Sequence, residues 1–322
     1  MPASSKALRG RMKSVQNTRK ITRTMELVSA SKLKRATDRV ATARPYTKAL
    51  AEVIADLVTP ELAEEFPLLR QPALPGKGGP TRAAVLVITS NRGLAGGFNS
   101  NLIKEGRRRV EALEAAGYQV ELHVVGKKAV GYFKYVGRAM TTQRSDIGDK
   151  PTAEHASELV GGLISAFESG ALGTFEVVYA AFVSAVQTPA TVLAVLPVKP
   201  PAVARTGARP DFILKPDAAA ILEQLLPLYV RNQIYRALVE TAAGEHGARR
   251  TAMKNATDNA GEIYDLLKRT YNRQRQGAIT QEIAEIVGGA AALGGCGGAG
   301  GPGGGRLRSR FRVRVASKLP VL

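Results

Sequence analysis

With 322 residues, 44% of them apolar and 23% charged, the chain has the composition of a folded protein with room for two domains, or for one domain and an extended element. Forty-six Lys and Arg against 27 Asp and Glu leave a net charge of +19, a balance that suits an acidic partner. A single cysteine, Cys296, excludes an internal disulfide framework and any multi-cysteine metal site; no stretch approaches the roughly 20 apolar residues of a membrane span, and a secretory signal's apolar core is missing.

The basicity is concentrated at the start. Residues 1–50 hold thirteen Lys and Arg against Glu26 and Asp38, a net of +11. The first 25 residues carry no acid and so mimic a transit peptide, but the pattern runs past residue 50 with no cleavage-like change. From Leu33, the residues Ala36, Val40, Ala43, Thr47, Leu50, Ile54 and Leu57 keep a three-four spacing, the seam of a coiled coil. Leu8, Met12, Val15, Ile21, Met25 and Val28 extend it less regularly. The spacing predicts a helix over 5–58, roughly 80 Å long, in which Pro45 removes one backbone bond and introduces a bend.

Five prolines and three glycines make 59–82 a loop. The rhythm then changes. Strands are predicted over 83–90, 119–125, 175–183 and 192–198, and helices over 99–116, 127–135 and 152–168. Such alternation argues for an α/β layer domain with a largely parallel sheet, the last two strands forming an antiparallel hairpin through Gln187, Thr188 and Pro189. A second proline-rich loop covers 199–216.

Asp217 reads as an N-cap, and from Ala218 to Val287 the pattern is helical again, on the order of 105 Å. Its seam runs through Leu225, Leu228, Asn232, Tyr235, Val239, Ala242, His246, Arg249, Met253, Ala256, Ala260, Ile263 and Leu267, with Pro227 kinking the first turns. The polar members Asn232, His246 and Arg249 predict local loosening. A helix of this length cannot bury its stripe alone, and the first helix is the available partner. The expected fold is α/β: an antiparallel coiled coil of long N- and C-terminal helices with an inserted Rossmann-like domain. The division is 1–58 helix, 59–82 linker, 83–198 α/β domain, 199–216 linker, 217–293 helix and 294–322 a Gly/Arg-rich tail.

Candidate chemistry is sparse. Asn91–Asn99 joins a strand to a helix, where phosphates often bind, but Gly93, Gly96 and Gly97 do not spell the dinucleotide fingerprint, and no Gly-Lys-Ser/Thr follows. A tight turn needing positive φ is the simpler reading, and it holds for Gly126-Lys127-Lys128 too. His123, His155 and His246 have no metal or triad spacing, and no carboxylates pair. The sequence offers no catalytic residue, cofactor site or metal site. A nucleotide-binding enzyme on a coiled coil remains one rival. A nucleic-acid-binding coiled coil is another, lacking aromatic stacking positions or a DNA-reading motif. Further on, Thr270–Gly277 (TYNRQRQG) breaks the apolar pattern with amides and arginines, and Ile279, Ile283, Ile286 and Ala290 renew it. A polar collar before an apolar tip suits a helix end sheathed by other subunits.

These residues carry a family resemblance. SVQNTRKITRTMELVSASKLKRA (14–36) resembles the opening helix of F-type ATP synthase gamma subunits; ARPY (43–46) resembles their proline step, and SNRGLAGGFN (90–99) their first βα turn. AMKNATDNAG (252–261) and ITQEIAEIVGGAAA (279–292) are similar to the family's helix-2 motifs, the last being the most specific. The resemblance implies a non-catalytic central stalk that rotates inside a hexamer of alpha and beta subunits, standing with the epsilon subunit on a ring of c subunits. It implies no nucleic-acid partner, membrane contact only through the complex, and a place on the cytoplasmic face of a bacterial plasma membrane. It assigns Lys20, Met25, Arg275, Gln276 and Thr280 to contacts with the beta subunits, the last three as the polar catch. Ile283, Ile286 and Val287 become an apolar bearing. Asp211, Phe212, Leu214 and Lys215 become the foot against the c ring and epsilon, with Lys215 where some relatives have an acid. The cysteine-bearing regulatory insert of plastid relatives is missing. Family members stop near GAAAL (289–293); here GGCGGAGGPGGG and RLRSRFRVRVASKLPVL follow, a glycine run expected to be disordered and an alternating Arg/apolar segment with six further positive charges.

Overall fold

The computed structural model describes residues 5–71, 75, 81–199 and 217–294. Asp211, Phe212, Leu214, Lys215 and residues 295–322, for which expectations were given above, lie outside the described residues. The chain gathers into two units, one formed by Met12–Asp265 and one by Met1–Arg11 with Leu266–Leu322. Two helices, α1 (Ser5–Leu57) and α6 (Ala218–Gly294), pass through both. Pro45 and Pro227 sit inside these helices without ending them. The Asp217 carboxylate accepts from Ala220 N at 2.7 Å, the cap expected at the start of α6.

In the first unit a five-stranded sheet has the order β3-β2-β1-β4-β5. Its members are β1 (Arg82–Ile88), β2 (Gln119–Val125), β3 (Thr142–Arg144), β4 (Leu172–Ala180) and β5 (Ala190–Leu196). All pairings are parallel except β4 with β5, the expected hairpin. Strand alternation divides the core. Ala83, Val85 and Val87 face α3 (Phe98–Ala115) and α4 (Lys127–Tyr135), packing with Phe98, Leu102, Val110, Leu113, Ala129 and Phe133. Ala84, Leu86 and Ile88 face the opposite way, onto α5 (Ala153–Glu168) and onto both long helices. Leu50, Ile54 and Leu57 of α1 join Leu222, Leu226, Val230 and Ile234 of α6 in that second core. The long helices are therefore part of the domain's own layer.

Within this unit α1 and α6 pair antiparallel. Asn232 donates its amide to Thr47 Oγ1 at 3.1 Å; farther along, Ala36 and Val40 pack with Val239 and Ala243. Farther still, the hydroxyls of Thr22 and Thr257 lie 2.8 Å apart. The predicted seam is correct from Leu33 to Leu57 and shifts upstream. Ile21 and Val28 are exposed, and Thr22 and Ser29 take the buried positions; on α6, Leu228 and Ile263 are likewise exposed. The upstream seam is made of small hydroxyl side chains whose Oγ atoms return to their own helix, Ser29 to the Met25 carbonyl and Thr257 to the Met253 carbonyl. The expected loosening at Asn232, His246 and Arg249 is absent, because each finds a partner. From Ala237 to Gly247, α6 is buried all round, gripped by α1 and the sheet domain together. Gly247 permits that approach, since a Cβ there would stand 2.8 Å from the Ala185 carbonyl oxygen.

Two elements were not anticipated. The 59–82 loop contains α2 (Pro60–Glu65), capped by the Thr59 hydroxyl with proline at its first position, and buries Leu68 and Leu69. The short β3 edges the sheet, its ladder to β2 only three residues long.

In the second unit, Arg9 Nη2 donates to the Tyr271 hydroxyl at 2.6 Å, with the guanidinium 5.5 Å from the ring centre.

Candidate functional site

The strand-to-helix turn that resembles a phosphate site is filled by its own chain. Asn91 Nδ2 donates to the carbonyls of Ser145 and Ile147 at 3.0 and 2.9 Å, and Asn91 Oδ1 accepts from Lys127 N at 2.9 Å. Asn99 Oδ1 accepts from Ser90 N at 3.0 Å. The first amides of α4 are all satisfied internally: Lys128 N by the Ser90 carbonyl, Ala129 N by the Thr89 hydroxyl and Val130 N by the Gly126 carbonyl. A phosphate at the start of α4 would have to displace these bonds, so the Gly126 turn has no free amide cradle. Gly126, at φ 102, allows the close crossing; a Cβ there would lie 2.2 Å from the Thr89 carbonyl oxygen. In the Asn91–Asn99 turn Gly96 alone of the three glycines is left-handed, at φ 58, and the other left-handed residue is Leu94 at φ 60, uncommon for a side-chain-bearing residue.

The histidines stand apart. His123 on β2 is buried, its Nδ1 3.0 Å from the Thr142 hydroxyl, and burial lowers its pKa. His155 closes a capping box with Thr152 at the start of α5. His246 on α6 lies 3.8 Å from Asp149 Oδ1 and 3.5 Å from Arg249 Nη1, and burial pulls its pKa down to about 4. Among the described residues no group of three or more His, Cys, Asp or Glu side chains is placed to hold a metal.

The densest polar cluster joins α1, α6 and two loops. Lys32 Nζ donates to Asp149 Oδ2, and Arg39 Nη1 donates to the Asp149 carbonyl at 2.9 Å. Arg249 donates to Glu245 Oε1 at 2.5 Å and to the Gly93 carbonyl at 3.3 Å. Burial raises the Glu245 pKa against the pull of Arg249. Burial also opposes ionisation of Asp149, but Lys32 and its other neighbours win and hold that carboxyl below its usual range. Every charge named in the cluster has a partner.

The remaining candidates are surfaces. Lys20 is exposed and lines a cavity of about 450 Å³ with Gln16, Arg19, Arg23, Thr257 and Asp258. Met25 is half-buried beside exposed Val28 and Leu94 in a smaller cavity of about 290 Å³. In the second unit, Arg275, Gln276 and Thr280 are exposed, the Thr280 hydroxyl donating to its own helix at the Gln276 carbonyl. Beyond them Ile279, Ile283, Ile286 and Val287 are 47%, 56%, 71% and 62% exposed. Apolar side chains at this spacing and exposure, following a polar turn, are an unpartnered helix stripe.

The ATP synthase family model matches residues 4–293. The ATP synthase gamma chain of Gemmatimonas aurantiaca is 59% identical over 294 residues, covering 91% of this chain and all of the relative. The chain belongs to the ATP synthase gamma chain family. The gamma chain of Frankia casuarinae is 41% identical over 91% of this chain and 99% of its own length. Two solved structures share the fold: Euglena gracilis mitochondrial ATP synthase (OSCP/F1/c-ring), with a TM-score of 0.63 at 17% identity over 94% of this chain and 99% of that one, and the central stalk/c-ring of Tetrahymena thermophila ATP synthase, with a TM-score of 0.54 at 22% identity over 73% and 99%. Within a gamma chain the unpartnered stripe and the fully paired interior cluster have different meanings. The stripe is left uncovered by the described residues, and the cluster is satisfied within the chain. Sequence reasoning missed Asp149 and Glu245, since their partners lie on other elements or within an apolar seam and no local motif marks either carboxylate. His246 and Arg249 were visible only as polar interruptions of an apolar seam.

Proposed function

We propose that this gamma chain is the central shaft of an F-type ATP synthase, turning inside a hexamer of alpha and beta subunits and doing no chemistry itself. The observation that carries the reading is the exposed isoleucine and valine stripe that follows the polar turn at Arg275 and Gln276 on α6. Four large apolar side chains left in water are unfavourable by themselves and become favourable inside an apolar collar. In this reading Lys20 and Met25 meet the beta subunits on one stretch of the shaft, and Arg275, Gln276 and Thr280 form the catch on another. Ile283, Ile286 and Val287 turn in the bearing. Asp211, Phe212, Leu214 and Lys215 belong to the foot against the c ring and the epsilon subunit. The described helices include none long and apolar enough to cross a membrane, in keeping with attachment through the complex. In this reading the complex sits on the cytoplasmic face of a bacterial plasma membrane. The proposed division is shaft helices at 1–58 and 217–293, the α/β domain at 83–198 between two linkers, and the 294–322 tail.

Mechanical coupling follows from the energetics. One elementary charge crossing 100 mV releases roughly 2.3 kcal/mol, so several must be summed in a stiff element for each ATP. Two antiparallel helices locked by a core and a polar cluster supply that stiffness. The amides at the start of α4 are satisfied within the chain and leave no phosphate cradle there. Co-purification with alpha and beta subunits from a native source tests the assignment. Within that complex, Arg275→Ala with Gln276→Ala is expected to lower coupled ATP synthesis about tenfold, as the loss of a central polar contact would, with the helix content of the chain unchanged. Unaltered synthesis would remove the catch.

A further inference from the structure

We infer that Asp149 is a torsion stay: it holds the α/β domain at a fixed angle to the paired helices, so that a turning force applied to the domain reaches both. The inference rests on the shaft reading and goes beyond it by naming a residue through which force crosses.

The domain is tied to α1 and α6 at several places: Thr241 and Glu240 accept from the Ala180 and Phe182 amides, Arg44 and Arg249 donate to the Phe182 and Gly93 carbonyls, and two larger attachments lie on either side of Thr241. The first is the apolar core around Ile54 and Leu226. Apolar contact is non-directional, and a domain held there alone could yield by rolling about the helices. The second place is polar and lies about 30 Å farther along the pair, at Lys32 and His246, by the rise of 1.5 Å per residue. There the loop between β3 and α5 bonds Asp149 to α1 and sets it beside α6. Its Oδ2 accepts from Lys32 and its backbone carbonyl accepts from Arg39 at 2.9 Å, one helix face gripping side chain and backbone together. Its Oδ1 lies 3.8 Å from His246 Nε2 on the other helix.

The loop is itself braced from the domain side. Asn91 holds its Ser145 and Ile147 carbonyls, and Ile147 is buried in the core. Hydrogen bonds fix direction as apolar packing does not. Asp149 thus stands between a rigid loop and two rigid helices, and a turning force on the domain is resisted by these bonds. The ties lie off the chain's own connections between domain and helices, so they add a path rather than duplicate one.

The test uses the complete ATP synthase in membrane vesicles, with ATP hydrolysis and the ion pumping it drives both measured per assembled complex. The unaltered complex must hydrolyse and pump; if the unaltered chain fails to assemble, the shaft reading fails and the stay with it. Asp149→Ala is expected to keep hydrolysis and lose much of the pumping, and Lys32→Met, which cuts the same tie from the helix, to do likewise. Asp149→Asn, which keeps shape and an acceptor, should recover part of the pumping. Unchanged pumping in both Asp149→Ala and Lys32→Met, or hydrolysis and pumping falling in equal proportion, overturns the inference. Should Asp149→Ala not assemble, amide exchange of the full chain decides: faster exchange confined to 145–151 and the facing helix turns agrees, and faster exchange throughout the sheet overturns it.

Discussion

His246 shows how a residue type associated with catalysis can be structural. Its ring is almost fully buried between α1, α6 and the Asp149 loop, and burial lowers its pKa to about 4. In an unfolded chain the same group titrates near its ordinary value of about 6.5. Above that pH it is neutral in both states and has no effect on stability. Between about 6.5 and 4 the unfolded chain takes a proton that the folded chain refuses, so stability falls as the pH falls, by on the order of 3 kcal/mol in all. The groups facing it are Asp149, Lys32, Arg39 and Arg249. Glu245, whose pKa burial raises, acts in the opposite sense because it binds its proton more readily when folded. The clean measurement is therefore a difference: urea unfolding of the full chain and of His246→Gln from pH 7 to pH 4. The variant should show a shallower decline over that window. Parallel curves would mean that the imidazole is not held neutral by its surroundings.

Helices α1 and α6 show where apolar spacing is informative and where it misleads. From Leu33 to Leu57 the seam is built of large or β-branched apolar side chains, and a three-four count finds it. Ile54 has no exposed surface. Ile54→Ala should therefore cost about 3 kcal/mol, the usual penalty for emptying a closed core site. Upstream the count lands one position off, because the buried residues are Thr22 and Ser29 and the apolar ones beside them, Ile21 and Val28, face outward. Ile21→Ala should leave stability within about 0.5 kcal/mol of the parent, and a loss as large as that of Ile54→Ala would restore the original seam. The other elements divide the same way. The strands and α3, α4 and α5 were legible because apolar runs and helical spacing between glycine and proline breaks are local signals; β3 was not, since three residues carry no period. The α2 helix was hidden by prolines although Thr59 and Pro60 spell a helix start. The polar cluster around Asp149 unites residues more than a hundred positions apart, and no local pattern encodes that.

At the scale of the whole molecule, the question is what becomes of apolar surface that folding leaves exposed. Ile283, Ile286 and Val287 are more than half exposed on a helix that continues to Gly294. Side chains this exposed contribute little to the fold of the chain, so replacing Ile283 and Ile286 by Ser should leave the urea midpoint of the isolated subunit unchanged within about 0.5 kcal/mol. Serine has lower helix propensity than the straight-chain residues, but its difference from isoleucine is small. If the stripe turns in an apolar collar, the same pair of substitutions removes contacts that exist only in the complex. Two buried isoleucines are worth about 1.5–3 kcal/mol each when fully enclosed, and an interface recovers only part of that. A drop in coupled ATP synthesis of about tenfold is then expected, with the amount of assembled complex quantified alongside. The two measurements separate the possibilities. A lowered midpoint would make the stripe part of the fold, and an unchanged midpoint with unchanged synthesis would leave it without a bearing role. Only the unchanged midpoint with lost synthesis fits a shaft whose exposed end is completed by the proteins that surround it.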